Sequence, residues 1–244
     1  VFRPRTVQYR PGMRISDLVS SLAELRPLAD ANYLLIRREL QPSRRIVALS
    51  ADLERALQAR GSGDDIELYP GDRVSVFTRE PLPPELMSEE NEDGRIASLR
   101  AAATGATGEE FQVGQLDEQF DEEERERLLS SDRRTVVDKL LEELQLQASL
   151  QTAAQVVRVG GRVREPGTYP LEPGMRVGDL LRAGGSLAES AYIASAEVTR
   201  YVVVNGEYRE AELVPVDLAA IAAGDRAADF ALKPCGFLNV KEVT

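Results

Sequence analysis

A short apolar face following a proline-glycine turn occurs twice in this chain, and the remaining elements fall into place around it. After Pro173-Gly174, Val177, Leu180 and Leu181 stand at i, i+3 and i+4, the spacing of one face of a short helix. Asp179 lies in its first turn, where the helix dipole favours an anion, and Gly184-Gly185 predicts a left-handed end. Upstream, Val156 to Val163 is rich in β-branched residues and predicts a strand. The same order appears near the N-terminus, where Pro4, Thr6, Pro11-Gly12-Met13-Arg14, Asp17 and Leu18 match Pro166, Thr168, Pro173-Gly174-Met175-Arg176, Asp179 and Leu180. The two are offset by the 162 positions from Pro11 to Pro173, so this is an internal repeat. A two-turn helix is not stable alone in water, and each copy therefore needs a sheet beneath its helix.

The sheets are legible further along. Tyr33 to Arg38 and Arg45 to Leu49 predict a hairpin through Gln41-Pro42-Ser43. Val198 to Val204 and Tyr208 to Val214 predict another through Asn205-Gly206, a strong hairpin signal. Each leads into a short helix, Ser50 to Leu57 with Ser50 as its cap and Val216 to Ile221 ended by Gly224. Both copies close on a turn and a last strand, with Val74 and Val76, or Leu238 and Val240, facing inward. Residues 1–9 read as the tail of one strand and all of another. Only Val163 onward has a counterpart, at Val1, so the first copy lacks an edge strand and leaves an edge for another segment to cover. Val1 thus falls inside the first copy, and the chain reads as an excised or processed piece with any targeting segment upstream. One principal helix across a mixed sheet is an α+β arrangement.

Between the copies the pattern changes. Residues 81–114 are rich in Glu, Pro and small residues with little periodicity, and predict a loose connection with one short helix around 96–103. From Asp121 to Gln147 the pattern turns helical, with Val136, Val137, Leu140, Leu141 and Leu144 in one stripe. That stripe packs on one of the two copies or is offered to a partner subunit. The organisation expected is residues 1–80, an acidic and partly helical insert over 81–155, and residues 156–244.

The formal charge of -11 argues against a nucleic-acid partner. It is concentrated between Pro81 and Leu128, where fourteen Asp or Glu face four Arg, the composition of a solvated segment. No apolar run approaches a membrane span. With no histidine and one cysteine, Cys235, the chain excludes histidine-based triads, histidine-ligated zinc and an internal disulfide. Cys235 reads as a small packing residue, and Met13 and Met175 as core. Runs such as Asp121-Glu122-Glu123-Glu124 hold no two acids on one substrate bond. No catalytic residue, metal site or cofactor is expected.

The unit Gly161-Arg162-Val163-Arg164-Glu165-Pro166-Gly167-Thr168-Tyr169-Pro170-Leu171, followed by Pro173-Gly174-Met175, Asp179-Leu180-Leu181 and Gly184-Gly185, resembles the SLBB domain, a soluble ligand-binding β-grasp. Its surroundings resemble those in bacterial outer-membrane polysaccharide export proteins. The resemblance covers most of residues 1–80 and 156–244 and is stronger in the second copy; it does not extend to the insert or to the export domain and lipoprotein signal that precede such repeats. It implies two β-grasp domains, a periplasmic place associated with the outer membrane, and a non-catalytic role in moving capsular or extracellular polysaccharide. The partners implied are other copies in a ring, other envelope export components, and the polysaccharide. Gly236 stands where the first copy has Asp72, an aspartate the family commonly keeps.

A saccharide site draws on aromatic faces for C–H surfaces and on planar donors for hydroxyls. The candidates in the second copy are Arg162, Arg164, Tyr169, Tyr192, Arg200 and Tyr201. The plainer reading is that Tyr169 and Tyr201 cover the sheet while the arginines solvate it. The chain is therefore expected to supply subunit or polymer contacts, with a saccharide-binding module as the alternative and a polysaccharide-modifying enzyme as the remainder.

Overall fold

A computed structural model of the chain describes residues 6–25, 29–79, 132–149, 152–189, 191–204 and 208–242. The loose connection, the short helix around 96–103 and the Asn205-Gly206 turn lie outside the described residues. The fold is α+β.

In the first half, β1 (Ala29–Leu40) lies between β2 (Arg45–Ala51) and β3 (Arg73–Thr78), antiparallel to both. Tyr33, Leu34, Leu35 and Ile36 are each at most 1% exposed. A continuous apolar run of this kind is the signature of a strand covered on both faces. Leu34 and Ile36 pack with Ile15 of α1 (Ile15–Leu18) and Leu53 of α2 (Leu53–Gln58), while Tyr33 and Leu35 join a core shared with the second half.

In the second half, β4 (Val156–Gly161), β5 (Gly167–Pro170), β6 (Ala191–Val204), β7 (Tyr208–Val216) and β8 (Phe237–Glu242) form one sheet in the order β5-β4-β8-β6-β7. The β4–β8 pair is parallel and the rest are antiparallel. Val177, Leu180 and Ala183 of one helix (Val177–Ala183) pack on it, as does Leu218 of another (Leu218–Ala222).

The same bonds recur in both halves. Arg14 N donates to Asp17 and Arg176 N to Asp179, each at 2.9 Å. Leu68 N donates to Met13 O at 2.7 Å and Leu232 N to Met175 O at 2.8 Å. Buried Asp65 accepts from Ser16 N at 3.0 Å, and Asp229 accepts from Gly178 N at 2.8 Å. Leu34 pairs with Val76 where Ala196 pairs with Val240, and Ile36 with Val74 where Val198 pairs with Leu238. The turns agree as well, since Gly12 and Gly174 both take a positive φ, 78° and 76°, which glycine alone adopts without strain.

Several expectations need correction. Thr6 to Arg10 form no strand: β5 is held by its ladder to β4, and among the described residues the first half has no counterpart of β4. The α2 helix is capped by Asp52, which accepts from Arg55 N at 3.0 Å, as Asp217 does from Ala220 N. Ser50 is instead turned to Glu172, donating its N–H at 2.6 Å and its hydroxyl at 2.9 Å to Oε2. Cys235 is exposed, in a turn at φ 61°, where it covers no core. Arg38 places three bonds on Asp72, at 3.0, 3.2 and 2.7 Å. With Gly236 in the matching turn, its counterpart Arg200 pairs across the hairpin with Glu212 at 2.7 Å.

The apolar stripe of the insert forms α3 (Arg133–Leu146), with Asp132 capping it through Thr135; the helices over the second sheet are accordingly α4 (Val177–Ala183) and α5 (Leu218–Ala222). Val137, Leu140, Leu141 and Leu144 are buried, and α3 touches β2 and β3 on one side and β4 and β5 on the other. It packs on both halves, where one had been expected. Burying each of these side chains contributes roughly 2 kcal/mol. Polar contacts fix its position. Arg37 pairs with Glu143 at 2.7 Å and Ile46 N donates to Gln147 at 2.7 Å. Buried Arg133 donates to Ala183 O at 2.8 Å and pairs with Asp30, its guanidinium over the stacked rings of Tyr33 and Phe77.

Candidate functional site: a groove between α3 and β5

The helix does not close onto the edge of the second sheet along its whole length. A groove of about 540 Å³ remains between its polar side and strands β4 and β5. Val137 and Leu141 form its apolar floor with Tyr169. Arg134, Asp138 and Gln145 line one wall, and Arg158, Glu165 and Thr168 the other. Those helical positions lie beside the buried stripe at intervals of four and seven, the spacing of a single helix side.

The register of the sheet sets the opposite wall. Arg158 and Thr168 face each other across β4 and β5, so both side chains project from one side of the sheet. The Arg158 guanidinium lies 5.4 Å from the Phe237 ring centre and has no ion-pair partner among the described residues. Arg134 is more loosely held, 3.3 Å from Pro166 O and 4.0 Å from Asp138, and its side chain is 63% exposed. Tyr169 is 4% exposed, and its hydroxyl donates to Glu165 O at 2.8 Å. Burial pushes this phenol up to about 12, so it stays protonated and serves as floor.

Both donors and acceptors line the groove. Arg133, Arg134 and Arg158 stand against Asp138, Glu142 and Glu165, so the lining is balanced in charge. A phosphate or sulfate would meet as many carboxylates as guanidiniums. A neutral polyhydroxylated molecule would find both partners that each hydroxyl needs. Among the described residues no group of three or more acids or cysteines is placed to hold a metal, and no helix is long and apolar enough to cross a membrane.

Of the six residues singled out in the sequence, the structure brings Tyr169 to this groove. Arg162 is paired with Glu242, and Arg164 is exposed beside Gly185. Tyr192, 42% exposed, begins β6. Arg200 is engaged by Glu212, and Tyr201, 53% exposed, points to the other side of β6, because neighbouring strand residues alternate. The sequence reasoning missed Arg134, Asp138, Gln145 and Arg158. The usable signal was the polar stripe of α3 adjoining its apolar one.

One wall of the groove belongs to a recognisable unit running from β4 to the start of β7. Residues 156–209 match the SLBB domain. No curated protein matches the chain. The SLBB segment takes in β4, β5, α4 and β6 and stops before α5 and β8. It supplies Arg158, Glu165, Thr168 and Tyr169, and α3 supplies the facing residues.

Proposed function

We propose that this chain is a non-catalytic part of a polysaccharide export protein, working in the periplasm in association with the outer membrane, and that residues 1–80 belong to a second SLBB-like module. The SLBB match over 156–209 is the observation that carries this reading. The recurrence of the same cap, turn and strand-pairing bonds in the first half supports the second module. With α3 packed between both sheets, the two modules form one stiff unit, suited to setting spacings between copies of the protein, other export components and the polymer. Pull-down of the full-length protein from its native envelope tests this. Co-purification with export components and polymer is expected, and recovery with neither overturns it.

A second reading, that the SLBB segment itself holds a short saccharide, is favoured by the charge-balanced groove. Titration with oligosaccharide fragments should shift the resonances of Arg134, Arg158 and Thr168 while leaving Tyr192 and Tyr201 unmoved. Shifts at Tyr192 and Tyr201 alone would place the sugar elsewhere. Polymer turnover by the purified chain would restore the enzyme reading.

A further inference from the structure

The boundary between the halves holds a group of polar side chains whose bonds are incompletely made. Glu172, in the loop from β5 to α4, takes the backbone N–H and the hydroxyl of Ser50 of β2 on Oε2, while its Oε1 is buried without a partner. Arg182 of α4 shares the same serine. Its Nη2 stands 3.3 Å from Ser50 Oγ and 3.2 Å from Asp179, and its Nη1 crosses to Asp64 of the first half at 3.4 Å. Its Nε is buried without a partner. Ser50 Oγ thus accepts from the guanidinium and donates to the carboxyl. A buried acceptor and a buried donor, each costly to leave unmade, belong to the two side chains that meet at this one hydroxyl.

The groups around them leave few ways to answer a charge on Glu172. Both Nη atoms of Arg133 of α3 are committed, to Ala183 O and to Asp30, and the Tyr169 hydroxyl of β5 is committed to Glu165 O. The Tyr33 hydroxyl of β1 is buried and unpaired, and burial together with the Glu172 carboxyl holds it well above the ordinary 10, so it stays a neutral donor. The chain has no histidine, the side chain whose charge ordinarily changes between pH 5 and 8. Burial pushes Glu172 up to about 7 and into that interval. An ionised carboxylate binds a guanidinium more strongly than a neutral donor. The bond that Arg182 would give up, at 3.4 Å to Asp64, is longer than the usual N–H···O range.

We propose that Glu172 and Arg182 form a proton-operated latch on this side of the boundary. With Glu172 neutral, Arg182 reaches across to Asp64 and ties the second half to the first. When the carboxyl gives its proton to solvent, Arg182 turns its Nε onto Oε1 and releases Asp64. Ser50 keeps its bonds to Oε2 in both states, and α3 holds the halves together on the other side. The boundary is therefore tied most firmly in acid, and the tie slackens as the pH rises. The latch is independent of the export role and of whether the groove holds a saccharide.

The test follows the full chain, labelled for NMR at nitrogen and carbon, from about pH 5.5 to 8.5, an interval that brackets the Glu172 carboxyl. The Arg182 Nε–Hε resonance and the Asp64 carboxyl carbon should move together with one midpoint near 7. Exchange of the Arg182 Hε proton, corrected for base catalysis, should slow by about tenfold or more at the alkaline end, where it gains a charged partner. In Glu172→Gln, which keeps an acceptor for Ser50, neither resonance should move. Asp64→Asn should weaken folding about threefold at the acid end, the size of one partly exposed ion pair, and not at the alkaline end. In a Glu172→Gln background it should do so at both. A Glu172 carboxyl that keeps one charge state throughout, an Arg182 resonance that stays still while Glu172 titrates, or an Asp64→Asn effect equal at the two ends overturns the proposal. So does a Glu172 midpoint that Tyr33→Phe raises while Arg182 stays unmoved, since the phenol would then be the donor that answers the charge.

Discussion

Glu172 is the residue at which folding and protonation are most tightly linked. Its Oε2 takes both donors of Ser50 across the boundary between the halves, but Oε1 is buried without a partner. Burial holds its carboxyl at about 7, above the ordinary 4.5, although the Ser50 bonds and the Arg182 guanidinium pull it down. Arg182, which also reaches Ser50, Asp179 and Asp64, and the buried hydroxyl of Tyr33 face it from α4 and β1. A carboxyl whose folded pKa is raised binds its proton more tightly when folded, so its contribution is most favourable below about 4.5 and is lost as pH rises to about 7. The loss is on the order of 3 kcal/mol. Urea midpoints taken from pH 5 to pH 8 should decline through this window, and in Glu172→Gln that decline should be largely absent, leaving the variant about 1–3 kcal/mol more stable at pH 8. Equal slopes in the two proteins would remove Glu172 as the cause. At Cys235 the backbone itself is strained: φ is 61° where the first half has Gly71 at 87°. Cys235→Gly should stabilise the chain by about 1 kcal/mol in thermal melts, and the native thiol should react fully with an aromatic disulfide reagent without denaturant.

At the scale of elements, what the sequence revealed and what it hid differ for physical reasons. Helices α1 and α4, both hairpins and the closing strands were readable because each carries its own period and turn residues. Of the strands expected over residues 1–9, the described part, residues 6–9, forms none, since a strand exists through its ladder and no ladder partner stands there among the described residues. Ser50 looked like a cap because it precedes the helix, but Asp52 accepts from the amide of Arg55 in the first turn and leaves Ser50 for Glu172, a partner 122 positions away. The scatter of the candidate arginines has the same origin: whether Arg200 is free depends on Glu212 standing opposite it in the register. Gly161 shows how sharply one element can be tied to another. At φ 78°, a Cβ there would stand 2.0 Å from Val240 O, and backbone cannot yield as a side-chain tip can. Gly161→Ala should therefore cost about 3 kcal/mol or more and expose the amides of β4 to exchange. Gly160→Ala meets the Phe237 ring, 2.9 Å away at its nearest, which can turn aside, so it should cost less. If both variants melt alike, the β4–β8 contact is looser than this geometry.

At the scale of the whole molecule, the decisive element is α3. Its apolar stripe was plain in the sequence, but stripe width cannot say whether one surface or two will cover it. Retrospectively, Tyr33-Leu34-Leu35-Ile36 carried that information, because a run buried on both faces requires something beyond α1 and α2, and α3 with the second half is what covers the other face. One core thus includes Tyr33, Leu35, Ile46 and Phe77 of the first half, the α3 stripe, and Val157, Leu180 and Leu238 of the second. Neither half can unfold without uncovering apolar surface on the other, so a single cooperative transition is expected, with calorimetric and van't Hoff enthalpies in agreement. Leu140→Ala, at a site 4% exposed, should lower that transition by about 2–4 kcal/mol in the chain as a whole, with exchange quickening at β2 and β4 together. Two separable transitions in the unaltered protein, or a loss confined to one half, would mean that α3 belongs to one module and merely touches the other. The stiffness invoked for the export role would then have no structural basis.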